Sequence, residues 1–196
     1  MYSIALPCVV LEEKLGESRL ELLLVGHNPS TAAWQSGHYF CGPNNNFEKL
    51  VVESGLCKPC EFGMIDDWML AEYSIGFTDV SRVPNSDSRA LNNRHMRAES
   101  IDFYKRIKNH AKRVKGYPKR IGFVGKRQYK LLFSPPLKSV DLGLQTEIPD
   151  SFPNDMEIWV LSSTSGRAVM SWSERLEPWV ELANAMHNAF RTSNIE

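Results

Sequence analysis

The sequence predicts an α/β fold, a three-layer α/β/α sandwich with a central mainly parallel sheet, on three observations. Short apolar runs near residues 22–25, 120–124 and 157–161, each bounded by turn residues, read as buried strands. Stretches of helical periodicity separate them, and strands alternating with helices join as parallel neighbours. The 196 residues, 42% hydrophobic, suffice for one domain over 1–196 with a full core.

Along the chain, MYSIALPCVVLEEK is apolar but has no basic leader, so a lead-in strand or a packed arm is expected there. Residues 22–25 stop at Gly26-His27-Asn28-Pro29, where Gly and Asn-Pro break regular structure. A long Gly/Pro/Asn-rich loop carrying His38, Tyr39 and Phe40 follows, and loops of this length in a compact domain are usually functional. It leads into a helix over 47–54 closed by Gly55. A variable segment reaches Leu70, and 73–80 reads as a strand end opening into a polar loop over 81–93. A helix is predicted over 96–115, with Ile101, Tyr104, Ile107 and Val114 near one face. Gly116 and Pro118 stop it. Gly125-Lys126 opens another helix running to Phe133, and Pro178 suits the first turn of a terminal amphipathic helix over 180–190.

Composition narrows the function classes. No apolar run approaches the ~20 residues needed to span a membrane. With 23 basic and 23 acidic residues the net charge is zero, but its distribution is uneven. Between Arg94 and Lys130 thirteen Lys and Arg face only Glu99 and Asp102. Such a block reads either as a phosphate-facing surface or as a solvated helix face. Cys57-Lys-Pro-Cys60 is a lone C-x-x-C, and Cys8 and Cys41 are single, so no metal, cluster or other cofactor is expected. A reduced, intracellular protein is the expectation. Neither a phosphate-binding Walker loop nor a nucleophile elbow is present, which argues against a nucleotide-binding α/β hydrolase.

Gly26-His27-Asn28-Pro29, Gly37-His38-Tyr39-Phe40, Gly42-Pro43-Asn44-Asn45-Asn46-Phe47 and Glu53-Ser54-Gly55-Leu56 keep an order and spacing that carry a resemblance. They are similar to the mismatch-specific uracil/thymine-DNA glycosylases of the uracil-DNA glycosylase superfamily. Residues 73–80, 121–126, 142–150 and 159–167 extend the similarity to about 22–167. The resemblance implies a uracil-DNA-glycosylase-like fold and a monofunctional glycosylase acting in base excision repair. Its partner would be double-stranded DNA carrying a mismatched or damaged pyrimidine. A monomer located with the genome is expected.

Each candidate residue has a chemical reason and a plainer alternative. A base cannot be cut from sugar inside the stack, so the nucleotide must be flipped. Asn28, at a strand's carboxyl end, is implied to position the attacking water; otherwise Asn-Pro simply starts a turn. Phe40 is the candidate stacking platform for the base, worth ~1–3 kcal/mol, or else a core Phe under the loop. Asp79 stands where the family places Asn or Asp on the base edge, and a carboxylate accepts from a pyrimidine N3–H; the alternative is a helix cap or Asx turn. Gly26 and His27 border this pocket, and His38 either lines it or bonds the loop backbone. Asn85 either helps hold the water or serves a turn. Ser163, Thr164, Ser165, Gly166 and Arg167, with Lys126, are the phosphate grip and wedge, or an ordinary loop. His27 replaces a usual apolar residue, Ser30 a common Gly, and Asn44 a small residue. Ala33 leaves room near the base, so uracil opposite guanine is expected first, with thymine or a damaged pyrimidine second. The competing reading is a catalytically weak homologue that only binds DNA.

Overall fold

The computed structural model describes residues 10–60, 63–87 and 90–192. The lead-in strand or arm expected of the first nine residues lies outside them. From Val10 onward the chain packs on the domain: Leu11 is fully buried, and Lys14 forms an antiparallel bridge with Phe77.

Five strands form one sheet in the order β2-β1-β3-β5-β4. β1 (Leu22–Gly26), β2 (Ile75–Asp79), β3 (Arg120–Val124) and β5 (Glu157–Leu161) run parallel, and the two-residue β4 (Gly143–Leu144) closes the edge antiparallel. Every residue of β1, β2 and β3 is buried, as strands covered on both faces require. Successive side chains point to opposite faces, so Leu22 and Leu24 enter one apolar cluster, Leu23 and Val25 the other. The first face is covered by α2 (Phe47–Glu53), α3 (Ile65–Tyr73) and α6 (Trp172–Thr192) through Leu50, Met69 and Trp179. On the second, α4 (Asn93–Arg113) and α5 (Lys126–Lys130) supply Phe103, Ile107 and Tyr129. The three layers are those the sequence predicts. β1 leads away to β2 while its neighbour β3 leads to β5 on the other side. Between these two carboxyl ends a crevice opens, where open α/β sheets bind ligands.

Several elements differ from expectation. The long loop after β1 contains a short helix, α1 (Thr31–Ser36), which Ser30 caps by accepting from the Ala33 N–H and Gly37 ends at φ 76°. Only the end of the variable segment is regular, opening α3 at Ile65, whose cap Met64 makes no side-chain hydrogen bond. In α4 the buried stripe is Met96, Ser100, Phe103, Ile107, His110 and Ala111, spaced every three or four residues, while Ile101 is 60% exposed. α5 ends at Lys130 rather than Phe133. Pro178 lies inside α6, not in its first turn, because an earlier start signal prevails. The Ser171 N–H donates to the Glu174 carboxylate and the Glu174 N–H to Ser171 Oγ, a reciprocal capping box. The Ser171 hydroxyl, donating to the same carboxylate at 2.6 Å, and the Ser171 N–H hold the Glu174 carboxyl below its usual range. Proline at 178 withholds the N–H that would reach the Glu174 carbonyl; the neighbouring Arg175 carbonyl accepts from the Ser162 hydroxyl at 2.6 Å.

Replacing Ser171 by Ala removes the box and is expected to lower stability by about 1 kcal/mol. Urea denaturation measures it, and an unchanged midpoint would mean that packing alone holds the start of α6.

Candidate active site

The crevice is a cleft of about 230 Å³ lined by His27, Asn28, Ala33, Tyr39, Phe40, Asp79, Asn85, Val124 and Ser163–Ser165 among others. Pockets for drug-sized ligands run to about 300–1,000 Å³, so this space suits a single small ring system. A more open depression, lined by 42–46 and 165–167, shares Ser30, Asn45, Ser86 and Ser165 with it and forms its outer lip.

Strand register builds the floor. Gly26 stands opposite Asp79 in the parallel pairing of β1 and β2. A methyl group on Gly26 would overlap the Asp79 carboxylate and come within 3.5 Å of the Phe40 ring. Gly26 is therefore glycine for close approach, which lets a carboxylate and an aromatic ring converge over one strand end. Asp79 is 2% exposed, and its Oδ2 has no hydrogen-bond partner among the described residues. Burial pushes its carboxyl up to about 7, against the pull of Arg82 and Arg106. Arg82 Nη1 lies 3.9 Å from Oδ2 while donating to the Tyr39 hydroxyl at 2.7 Å. Arg106 spends its guanidinium on the Asp79 and Val80 carbonyls, Thr78 and Glu13. Asp79 is thus neither a helix cap nor an Asx turn: α4 is capped by Asn92 instead.

The aromatic wall rests on a braced loop. Phe40 has φ 56°, a left-handed conformation that costs a non-glycine residue about 1–3 kcal/mol and persists only where its surroundings enforce it. They do so from both sides. The buried Asp66 carboxylate accepts the Tyr39 N–H at 2.8 Å, and the Phe40 ring stacks on Phe47 at 4.7 Å. Phe47 meets Trp179 edge-on, and the Trp179 indole N–H donates to Ser162 at the end of β5. In sequence the adjacent Asp66 and Asp67 read as surface or capping carboxylates, or as a metal-binding pair, and nothing local marks Asp66 as the buried one.

Asn28 is tightly oriented. Its Nδ2 donates to the Asn85 carbonyl at 2.8 Å, Pro29 at 3.0 Å and Val83 at 3.2 Å, while Oδ1 lies 2.9 Å from His27 Nδ1. The Asn85 side chain makes a turn bond, accepting from the Asp87 N–H, and its carbonyl serves Asn28.

The far rim is the 163–167 segment, joined to the Asn-rich loop. Thr164 O accepts from the Asn46 N–H, and the Gly166 N–H donates to Asn44 O. A Cβ on Gly166 would stand 2.6 Å from Asn44 O, so close approach rather than a tight turn demands glycine there. Ser163 and Ser165 hydroxyls accept from the segment's own amides at Ser165 and Arg167, which leaves their hydrogens to donate. From beneath, buried Arg175 donates to the Ser165 and Ala168 carbonyls. Arg167 is exposed at the lip.

Two candidates lie elsewhere. His38 is not in the cleft; its Nδ1 lies 3.1 Å from Asp66 Oδ1, behind the aromatic loop, beside Lys14 and Asp67. His38, Asp66 and Asp67 form the one His/Cys/carboxylate group among the described residues that brings three donor atoms together. Lys14 Nζ already neutralises it, 2.7 Å from Asp66. Lys126 lines a separate groove with Asn93, Arg127, Lys130, Leu131 and Pro136. Part of the basic block pairs within the chain. Arg113 pairs with Glu17, Arg120 with Glu157 and Lys119 with Glu21. Lys112, Lys115 and Lys119 flank the amino end of β3, the edge opposite the cleft.

A parallel sheet whose strand ends gather an oriented amide, a buried carboxylate and an aromatic shelf defines a class that handles one planar ring. A family model of the uracil DNA glycosylase superfamily matches residues 13–186, and the chain belongs to that superfamily. Its members hydrolyse N-glycosyl bonds in DNA to release uracil. No helix among the described residues is long and apolar enough to cross a membrane.

Because the folded-state value of Asp79 is raised, its contribution favours folding at low pH and is lost as pH rises from about 4 through about 7. Asp79→Asn removes the carboxylate, so its melting temperature is expected to gain on wild type more at pH 8 than at pH 5. Parallel melting curves would contradict a buried ionisable Asp79.

Proposed function

We propose that this chain is a monofunctional DNA glycosylase of base excision repair. It flips uracil mispaired with guanine out of double-stranded DNA and hydrolyses its glycosidic bond, with thymine or damaged pyrimidines as secondary substrates. The observation that carries the reading is the convergence of Asn28, Phe40 and the unpartnered Asp79 carboxylate in one ring-sized cleft. Residues 163–167 rim the same cleft.

In this mechanism the duplex lies across the lip. Amides and hydroxyls of Ser163, Thr164 and Ser165 grip phosphates without reading sequence, and Arg167 fills the gap left by the extruded nucleotide. Mispairing lowers the cost of extrusion. The base stacks on Phe40, and Asp79 as carboxylate accepts its N3–H. Water on Asn28 Oδ1 attacks C1′, the C1′–N1 bond breaks with its electron pair leaving on the base, and the proton shed by the water passes through solvent to the base anion. An amide takes up no proton at neutral pH, so Asn28 contributes position rather than base catalysis. The rate then depends on the leaving ability of the base anion. The chain acts as a monomer, without metal or cofactor, on genomic DNA. Lys126 and His38 have no part in base contact.

Excision from end-labelled G·U, G·T and A·U duplexes and from single-stranded uracil tests this. G·U is expected to be cleaved fastest, and Asn28→Ala to lose about 10²-fold or more in single-turnover rate. Tight duplex binding without excision in any lane would overturn the enzymatic reading in favour of a binding module. The G·U rate is also expected to rise with pH through about 7 as the Asp79 carboxylate forms, and Asp79→Asn to flatten that limb. An unchanged limb in Asp79→Asn would remove Asp79 from base recognition.

A further inference from the structure

Asn28 is held from both ends of its amide. Three backbone carbonyls, of Pro29, Val83 and Asn85, face one end, so that end must be the NH2, whose two N–H donors are shared among them. The other end is therefore the oxygen, and His27 Nδ1 lies 2.9 Å from it. An amide oxygen only accepts, so the imidazole proton is on Nδ1. Nε2 is then the bare nitrogen, and it is buried without a partner among the described residues. The surroundings oppose a second proton there: burial, joined by the positive charge of Arg127 on α5, outweighs the pull of the Asn28 hydrogen bond. The end of β2 adds a neutral anchor, the Ser81 N–H donating to the His27 carbonyl at 3.0 Å. A neutral histidine in water favours the other tautomer, with the proton on Nε2, so this site selects the less common form.

We propose that His27 is a positioning residue, whose Nδ1–H occupies one lone pair of Asn28 Oδ1 and aims the remaining one at the attacking water. The proposal rests on the glycosylase reading, in which Asn28 holds that water. The carbonyl of an amide has two lone pairs. With one taken by His27 and the NH2 tied to backbone, Asn28 offers a single acceptor site in a single direction. Nothing else on the end of β1 provides that restraint: Pro29 has no donor, and the Gly26 backbone is engaged in the sheet. His27 touches neither base nor sugar in this scheme and acts through Asn28 alone.

Two measurements test it. Long-range ¹H–¹⁵N correlation on histidine-labelled protein reads the tautomer, the His27 signal being the one lost in His27→Gln. The expected pattern is neutral with the proton on Nδ1, shifting toward the Nε2–H form in Asn28→Ala. A wild-type Nε2–H pattern, or a cationic ring at pH 7, overturns the proposal. In single-turnover excision from G·U duplexes, His27→Leu is expected to slow the maximal rate by about 10²-fold with duplex affinity unchanged. His27→Gln, which restores an N–H donor, is expected to recover most of it. A wild-type rate in His27→Leu, or a loss that Gln does not recover and that follows the fall in melting temperature, reduces His27 to a packing role and refutes the proposal. A wild type that excises nothing overturns the glycosylase reading, and with it water positioning, whereas the spectrum decides the tautomer in either case.

Discussion

The missing side chain at Gly26 is the constraint on which the site depends. Parallel pairing brings the last residue of β1 directly beside the last residue of β2. Any Cβ at position 26 would overlap the Asp79 carboxylate and touch the Phe40 ring. With hydrogen there, a strand end becomes the floor of a cleft. Everything above it is held by other elements: Phe40 through Phe47 and Asp66, Asn28 through the 83–85 backbone, and the rim through Asn44, Asn46 and Arg175. Rigid elements thus present groups that loops alone would leave mobile, which is what positioning chemistry needs.

The electrostatics follow from the same geometry. A neutral chain carries its basic excess in one block, yet Arg106, Arg113 and Arg120 turn to internal partners. A strong local perturbation sits instead at Asp79, where desolvation outweighs two nearby guanidinium groups. Perturbed carboxylates in clefts mark functional sites. Affinity for DNA in this scheme therefore relies on oriented amides and hydroxyls at the rim more than on a basic face.

Short-range information was legible. The apolar runs located β1, β3 and β5, and Gly55 closed α2 as its turn chemistry demands. Local signals competing with one another were misread. Ser30 and Gly37 bracket α1 but lie inside an Asn/Pro-rich stretch, and Pro178 obscured the Ser171–Glu174 capping box. Ile101 was placed inward by apolarity, whereas the helical spacing from Met96 selects Phe103. Long-range facts were not legible. That Asp66 is buried under Tyr39, that His38 faces it rather than the cleft, and that Lys126 lies in another groove depend on partners far along the chain. Motif order could gather Asn28, Phe40, Asp79 and 163–167 into one expectation, but only the register explains why they meet.

The central claim is that one extruded pyrimidine lies over Phe40 and against Asp79, with its C1′ turned toward position 28. The most direct measurement is a crystal structure of the Asn28→Ala protein on a duplex with a single G·U pair. The account predicts uracil outside the helix, its ring over Phe40 and its N3 within hydrogen-bond reach of Asp79, with residues 163–167 against the gap. Uracil stacked in the duplex, or extruded into any site other than this cleft, would contradict it.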